Sequence, residues 1–249
     1  MVRDRPKPVN LLLLEPSEVG PDGRATLAGR RHLHAREVLR VQAGQTLRVG
    51  IRLGRCGSAT VVSQSDDGLE LQVTLDSPPP PRPGIDLILA IPRPKALKRI
   101  IPAVASLGVD RVVLVNAARV EKSYFDSKVL AADFLSGLID LGLEQAKDTV
   151  SPRIEVRERF KPFIEDDLDS SFGPCTRVVP HPVADFRLGP VPSAQRVLLA
   201  IGPDGGWVPF EVELLRAHGF TPASLGERIL RVEVAVPAVI GAIRAHAPP

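Results

Sequence analysis

A run of prolines one third of the way along the chain limits how the chain can fold. The segment DSPPPPRPGID carries five prolines in the six positions 78–83. Because proline lacks a backbone N–H and fixes φ, this run can lie neither in a helix nor in a central strand. We therefore predict a first domain at residues 1–77, a short, stiff linker at 78–84 and a second domain at 85–249.

The first domain has the sequence pattern of a small β-barrel. The segments ATLAG, QTLRVGIRLG, SATVVSQSDDG and LELQVTL alternate apolar with polar residues and are separated by glycines. Such alternation is typical of short strands with one buried face. One or two helical turns around His32 to Leu39 interrupt the predicted strands.

The second domain alternates between strand and helix patterns. A near-continuous apolar strand at 85–91 is followed by an amphipathic helix at 94–108 and a strand at 110–115. We predict a long helix from about Ser127 to Lys147 and a last helix from about Val236 to Ala245. This alternation predicts an α/β fold with a mostly parallel sheet, whose ligands bind at the carboxyl ends of the strands.

Composition excludes several classes of protein. The two cysteines lie far apart with no CxxC pair, which argues against a disulfide framework or a zinc site. The four leucines at 11–14 are too few for a signal peptide or a membrane span, so we predict a cytoplasmic protein without a membrane partner. Seven arginines against one acid between Arg30 and Arg55 indicate a polyanion partner or a solvated surface.

Three predicted strand-end loops are candidates for a binding site: residues 178–185, 201–211 and 225–238. In the second loop, IGPDGGWVPFE, three glycines let a ligand approach the backbone, and Pro203 fixes the entry. A tight turn that needs positive φ is the simpler alternative. The chain contains no Walker-type phosphate loop, GxGxxG, HExxH or GxSxG motif. We predict a pocket that binds through backbone groups, with no metal.

The third loop places charges among apolar residues. Arg228, Arg231 and Glu233 alternate with apolar side chains, where a charge is costly unless it is paired or used. Pro237 suits the first turn of the following helix, which would leave Arg231 and Glu233 just ahead of that helix. An ordinary surface ion pair and a catalytic pair are both compatible with this pattern.

The wording, order and spacing of two motifs resemble a known family. IGPDGGW, followed some twenty residues later by LGERILRVEVA, resembles the GPEGG and LGxRILRxETA motifs of the RsmE-type ribosomal RNA methyltransferases, members of the SPOUT superfamily. The resemblance extends over most of the chain and includes HLHAREVLRVQAGQTLRV near the N-terminus. It implies a PUA-like barrel followed by a methyltransferase domain with a deep C-terminal trefoil knot.

The resemblance also implies a cofactor and the residues that hold it. S-adenosylmethionine is expected to bind against the three loops. The residues implied in its binding are His181, Pro182, Ile201, Gly202, Pro203, Gly205, Gly206, Leu225, Gly226, Ile229 and Leu230.

The implied reaction is methylation of uridine N3 in small-subunit (16S) ribosomal RNA by a homodimer. Because N3–H is a weak acid, the reaction needs stabilisation of an anion and removal of a proton. Arg231 is the candidate for holding the uracil oxygens or a phosphate. Glu233 is the candidate for orienting Arg231 or for accepting a proton. The residues implied in RNA binding are Arg30, Arg31, His34, Arg36 and Arg40.

Some positions depart from the family pattern. Val234 replaces the threonine of ETA, Ala103 and Ser106 replace a lysine and a glutamate, and Asp148 replaces an arginine that we expect to contact RNA. These departures leave two alternatives open: a methyltransferase of the same fold with another RNA target, or a non-catalytic RNA-binding or ribosome-assembly protein. We interpret His32 as exposed or RNA-facing and Trp207 as a packing or dimer-interface residue.

Overall fold

The computed structural model describes residues 11–29, 32, 41–66, 68–182, 184–189, 191 and 195–244. The chain divides into two compact units. Unit 1 comprises Met1–Pro80 and Asp140–Ser151, and unit 2 comprises Pro81–Ile139 and Pro152–Pro249. The division at Pro80 falls inside the predicted linker. Asp140–Ser151, which we expected in the second domain, groups with the first unit.

Unit 1 contains a five-stranded mixed sheet. Its strands are β1 (Leu12–Leu14), β2 (Arg24–Leu27), β3 (Thr46–Ile51), β4 (Cys56–Gln64) and β5 (Leu69–Ser77), in the order β1-β3-β4-β5-β2. A 3-10 turn at Pro16–Glu18 follows β1. β1 runs parallel to β3, and the remaining pairs are antiparallel. The sheet is thus built mainly from neighbouring antiparallel strands.

Alternating side chains supply the core of unit 1. Leu69, Leu71 and Val73 of β5 are buried while the residues between them are exposed, as a strand with one buried face requires. Leu12–Leu14 form a strand that the sequence analysis did not identify, because all three residues are buried and no alternation marks them.

A buried aspartate fixes the turn at the end of Asp140–Ser151. Asp148 is 5% exposed, and its Oδ1 accepts hydrogen bonds from the backbone N–H groups of Thr149 (2.7 Å) and Val150 (3.0 Å). The expectation that Asp148 stands on an RNA-facing surface is therefore wrong. Its carboxylate instead occupies backbone donors that burial would otherwise leave unsatisfied.

Unit 2 is an α/β unit. Its strands are β6 (Ile85–Ala90), β7 (Arg111–Val115), β8 (Arg153–Arg157), β9 (Thr176–Pro180), β10 (Val197–Ile201) and β11 (Thr221–Ala223). The helices are α1 (Pro94–Ser106), α2 (Ala132–Ala146), α3 (Leu168–Phe172), α4 (Pro209–Ala217) and α5 (Val232–Arg244). The second half of α2 groups with unit 1. Shorter helical segments are 3-10 turns at Lys122–Tyr124 and Lys128–Leu130, one α-turn at Phe160–Pro162 and a π-helical stretch at Phe163–Asp167.

The six strands of unit 2 form a parallel sheet in the order β11-β9-β10-β6-β7-β8. Every residue of β6 and β10 is buried, as in sheets covered on both faces. α1 packs against α5. The parallel sheet confirms the predicted α/β class and brings the carboxyl ends of β9 and β10 side by side.

Two helix boundaries differ from the predictions. α2 begins at Ala132, because Ser127 caps the separate 3-10 turn Lys128–Leu130 with its Oγ, and Ala131 is extended. α5 begins at Val232, because the N–H groups of Val234 and Ala235 both donate to the carbonyl of Arg231.

Pro237 therefore lies inside α5, not in its first turn. A proline at this position lacks the N–H that would reach the carbonyl of Glu233, yet the helix continues through it. Glu233 accordingly belongs to the first turn of α5 and does not precede the helix.

The interpretation of His32 as an exposed or RNA-facing residue is wrong. His32 is 2% exposed, so it is neither exposed nor RNA-facing, and its Nε2 has no hydrogen-bond partner in the part of the chain that the structure describes. The predicted RNA-binding residues Arg30, Arg31, His34, Arg36 and Arg40 lie outside the described residues.

Candidate functional site

A cavity of about 470 Å³ lies at the carboxyl ends of β9 and β10. Its size is within the range of small-molecule sites, about 300–1,000 Å³. The loops after β9, β10 and β11 line it, as the sequence analysis expected. The structure brings together all eleven residues implied in cofactor binding: His181, Pro182, Ile201, Gly202, Pro203, Gly205, Gly206, Leu225, Gly226, Ile229 and Leu230.

The glycines of the second loop shape one wall of this cavity. Gly206 has φ +72° and donates its N–H to the carbonyl of Pro203 at 2.8 Å. A Cβ at Gly202 would lie 3.0 Å from the backbone N of Trp207. A side chain at either position would strain or displace the loop, so the wall is made of backbone.

Gly205 differs from these two glycines. A Cβ there would approach Cδ of Arg119 at 3.0 Å, and its three nearest neighbours are all side-chain atoms of Arg119. Arg119 also lines the cavity, and its Nη1 donates to the carbonyl of Gly205. Because an arginine side chain can move aside, the fold itself would tolerate a side chain at Gly205. The missing side chain matters because it keeps the adjoining cavity space open.

Ser224 joins the first loop to the third. Its N–H donates to the carbonyl of Phe186 (2.7 Å), its carbonyl accepts from the N–H of Leu188 (2.8 Å), and its Oγ accepts from the N–H of Gly226 (3.0 Å). Gly226 has φ +121°, a conformation that favours glycine. These bonds hold the two loops in register at the cavity mouth.

The third loop contributes apolar surface and a cation. Leu225 and Ile229 are exposed, the latter at 85%, although both side chains are large and apolar. Leu230, Val232 and Val239 extend this apolar wall, and Arg228 lies among them. Exposed apolar side chains around a cavity indicate a surface that a ligand covers.

The two predicted catalytic residues do not line the cavity. Arg231 is exposed and makes no side-chain hydrogen bond or ion pair with any described residue. Its chain neighbours Leu230 and Val232 both line the cavity, so Arg231 lies at its rim. Glu233 is 17% exposed and pairs with Nη1 of Arg99 on α1 at 3.8 Å. The carboxylate of Glu233 thus has Arg99 as its ion-pair partner.

Glu211 supports the loops beside the cavity, a role that the sequence analysis missed. Its side chain is 3% exposed; Oε1 accepts the N–H of Ala118 at 2.8 Å and Oε2 the N–H of Val208 at 2.9 Å. The carboxylate therefore ties the loop after β7 to the start of α4. The available signal was its position three residues after Val208, the spacing at which a glutamate caps a helix start.

Trp207 packs in the interior, which confirms the packing interpretation. It is 6% exposed, its Nε1 donates to the carbonyl of Ala200 at 3.4 Å, and its ring lies 5.0 Å from that of Phe160. Trp207 is also among the residues that line the cavity. Asp204, on the same loop, forms an ion pair with Arg93 at 3.4 Å.

Across the described ranges, no helix combines the length and the hydropathy that a membrane crossing needs. No group of three or more histidine, cysteine, aspartate or glutamate side chains is arranged to hold a metal ion, within the residues that the structure covers.

The known sequences that are similar to this chain and are described below are all RNA methyltransferases. The sequence model of the RNA methyltransferase domain family matches residues 79–244. Ribosomal RNA small subunit methyltransferase E of Treponema pallidum is 32% identical over 96% of this chain and 92% of its own length. The protein of the same name from Mycobacterium bovis is 25% identical over 88% of this chain and 85% of its own.

Comparison with solved structures gives the same fold. A putative methyltransferase from Legionella pneumophila, solved with bound SAM, superposes with a TM-score of 0.77 at 22% identity, covering 96% of this chain and 99% of that one. Ribosomal RNA small subunit methyltransferase E from Neisseria gonorrhoeae, bound to S-adenosyl methionine, gives a TM-score of 0.76 at 21% identity, covering 95% and 98%.

Proposed function

Because the chain belongs to the RNA methyltransferase family that includes ribosomal RNA small subunit methyltransferase E, we propose that it methylates 16S ribosomal RNA with S-adenosylmethionine. We propose N3 of a uridine as the methylated atom. The observation that carries the proposal is the cavity itself, since three loops separated in sequence converge on one space and present backbone groups to it.

The cavity fits the proposed cofactor chemically. Leu225, Ile229 and Leu230 offer apolar surface to a planar base, and the open backbone around Gly202 and Gly205 offers N–H and C=O groups to its polar edge. The absence of a Cβ at Gly205 keeps the space beside Arg119 open. When bound there, S-adenosylmethionine supplies a methyl group on a positively charged sulfur.

Arg231 is the proposed substrate contact. Uridine N3 becomes nucleophilic as its proton leaves, and the resulting negative charge is shared with the two uracil oxygens. A guanidinium at the cavity rim would stabilise that charge, or hold a neighbouring phosphate, with its fork of N–H donors. Its lack of a partner among the described residues leaves these donors available.

Glu233 is proposed as a positioning residue for this arginine, or as the proton acceptor. In the first turn of α5 its carboxylate is favourably placed near the helix N-terminus, and its ion pair with Arg99 links α5 to α1. Both contacts hold the start of α5, from which Arg231 is displaced by one residue. The positioning role is the one that these contacts support.

We extend the proposal to architecture and assembly. We propose a PUA-like barrel for the first domain and a trefoil knot for the second. β11 pairs with β9 at the sheet edge and α5 then packs on α1, so the C-terminal segment returns across the sheet, as a knotted C-terminus requires. We also propose a cytoplasmic homodimer; the exposed apolar side chains of Ile229 and Val234 offer surface that a second copy would cover.

Calorimetric titration with S-adenosylmethionine tests the site. We expect saturable binding by the wild type and its loss in Gly205→Leu, since a leucine fills the cavity while Arg119 can move aside. Gly137→Leu on α2, where a Cβ meets nothing within 4 Å, is the matched control and should bind normally. Binding that survives Gly205→Leu in a folded protein would place the cofactor elsewhere.

Transfer of labelled methyl groups to unmodified small ribosomal subunits tests the reaction. An N3-methyl group removes a Watson–Crick donor, so reverse transcription should stop at one uridine after incubation with enzyme and cofactor. Cofactor binding without any methylated position would favour the non-catalytic RNA-binding alternative. A stop at another kind of nucleotide would retain the enzyme class and overturn the uridine assignment.

A further inference from the structure

A second cavity of about 370 Å³ lies on the same edge of the unit 2 sheet. It is lined by residues after β7, after β8 and at the start of α4, among them Asn116, Arg159, Lys161 and Phe210. None of these residues belongs to the first cavity, and none was assigned a role from the sequence. We refer to it as the Phe210 cavity.

The Phe210 cavity adjoins the first cavity. Arg119 and Trp207 line the first, whereas their chain neighbours Ala118 and Val208 line the second. The ring of Phe160, which lines the Phe210 cavity, lies 5.0 Å from the ring of Trp207. A polymer whose reacting nucleotide sits at the first cavity therefore has the second within reach of an adjacent nucleotide.

The Phe210 side chain offers a stacking surface. It is 56% exposed although it is a large aromatic residue, and Nζ of Lys161 lies 5.9 Å from its ring centroid. Aromatic rings with neighbouring cations are the surfaces on which proteins stack unpaired bases of single-stranded RNA.

The polar residues around Phe210 suit the rest of a nucleotide. The guanidinium of Arg159 is exposed and has no hydrogen bond or ion pair within the described ranges, so its donors are available to a phosphate. The carboxamide of Asn116 likewise bonds no described side chain and can read the edge of a base. Nζ of Lys161 also forms an ion pair with Oε1 of Glu165 at 3.6 Å.

Two acids also line this cavity. Glu158 is exposed, whereas Glu211 is buried and both of its oxygens are occupied by backbone N–H groups. The cations reach the solvent-facing side, where a phosphate would lie, and the bonded carboxylate of Glu211 forms part of the inner wall.

We propose that the Phe210 cavity binds one unpaired nucleotide that neighbours the methylated one in the RNA, with its base on Phe210 and its phosphate on Arg159. This inference rests on the proposed RNA methyltransferase function and adds a subsite to it. The subsite would help to select which RNA segment presents its uridine to the first cavity.

Fluorescence anisotropy with a short, labelled, single-stranded RNA of mixed sequence tests the proposal. We expect Phe210→Ala to weaken RNA binding about tenfold, within the range measured for loss of one base-stacking aromatic. The matched control is Phe134→Ala, because Phe134 is also exposed and Nζ of Lys98 lies 5.1 Å from its ring centroid. The control should bind as the wild type does.

A second pair of variants tests the phosphate contact. Arg159→Gln should lower the salt dependence of RNA binding by about one counterion, and Lys98→Gln should not. S-adenosylmethionine affinity, measured by calorimetry, should be unchanged in all four variants. This separates the two ideas, since failure of the wild type to bind cofactor or methylate small subunits counts against the proposed function alone.

The proposal is overturned if Phe210→Ala and Phe134→Ala bind RNA equally well. It is also overturned if Phe210→Ala changes the sedimentation coefficient from that of the wild type while its RNA affinity is retained, because the exposed ring would then belong to a protein contact.

Discussion

The two edges of the parallel sheet in unit 2 carry similar residues with opposite degrees of pairing. At the amino edge, Arg196 contacts Asp86 at 2.8 Å and Asp110 at 3.2 Å, and Arg82 contacts Asp110 at 2.9 Å. At the carboxyl edge, the guanidinium groups of Arg159 and Arg231 make no hydrogen bond or ion pair with the residues that the structure describes. The charges named at the first edge are used by the fold, whereas Arg159 and Arg231 at the second are available to a ligand.

Burial sharpens this contrast. Asp86 is 5% exposed, and burial raises the pKa of its carboxyl, while the hydrogen bond from Arg196 opposes the rise. The pKa of Arg196 is raised in turn, chiefly by its hydrogen bond to Asp86. The amino edge therefore contains a coupled pair whose loss the fold should register, whereas the exposed arginines should be removable without structural cost.

The largest expected effect is at the carboxyl edge. Arg231→Ala should lower kcat/KM for small ribosomal subunits by about 100-fold or more, as expected for loss of a group that stabilises developing charge. The melting temperature of the variant should equal that of the wild type, because the Arg231 side chain has no partner to lose among the residues that the structure describes. Steady-state kinetics and calorimetry check this, with the surface variant Arg216→Ala as control. Unchanged activity and unchanged cofactor affinity would remove Arg231 from the site.

The next effect is at the amino edge. Asp86→Ala should lower the free energy of unfolding by about 2 kcal/mol, since it removes the buried acceptor of the 2.8 Å hydrogen bond and leaves Arg196 only its longer contact to Asp110. Its kcat should be retained. Urea unfolding of this variant beside Asp126→Ala, an exposed aspartate, gives the comparison. If Asp86→Ala is as stable as Asp126→Ala, the two edges do not differ in the way described.

A smaller effect is expected at Glu233, which is paired within the fold and also lies near the first cavity. Glu233→Gln and Arg99→Ala should each lower kcat less than tenfold and leave its pH profile unchanged, because their ion pair positions the start of α5. Single-turnover methylation between pH 6 and about 9 measures this. Disappearance of one limb of the profile in Glu233→Gln, but not in Arg99→Ala, would instead make Glu233 the proton acceptor.

The smallest expected effect is the pH dependence of the stability that Asp86 contributes at the amino edge. Because the folded pKa of Asp86 is raised above its usual 3.8, the stability it contributes is fully present below that value and is lost as pH rises through the folded pKa. The unfolding free energy of the wild type should therefore rise relative to that of Asp86→Asn as the pH is lowered from neutral. Urea titrations at several pH values measure it. A difference that does not change with pH would contradict the buried-carboxyl account.

The sequence was sufficient to predict the alternating strands and helices and the loops that line the first cavity. Both follow from local patterns: near-continuous apolar strands, glycine-rich turns and a motif pair with fixed spacing. The fully buried strand Leu12–Leu14 lacked such a pattern, since a short apolar run does not distinguish a strand from other buried structure.

The remaining errors have two physical causes: local backbone hydrogen bonds at Arg231 and Asp148 that residue type alone does not reveal, and long-range contacts at Glu211 and Arg119. Pro237 suggested a helix start, yet α5 begins five residues earlier, because the carbonyl of Arg231 captures two N–H groups. The position of Asp148 was expected to face RNA, and Asp148 is instead buried as a backbone acceptor. Glu211 and Arg119 reach partners 93 and 86 residues away, contacts that no local pattern encodes.

The indole of Trp207 gives the molecule a built-in optical reporter. It is the chain's single tryptophan, it lines the first cavity, and it packs against Phe160, which lines the second. Its emission should therefore respond to a ligand at either position without any attached dye. Titrating the two ligands one after the other should give two separate changes in emission. Comparing the affinity of each ligand with and without the other bound would show whether one occupant alters binding of the other.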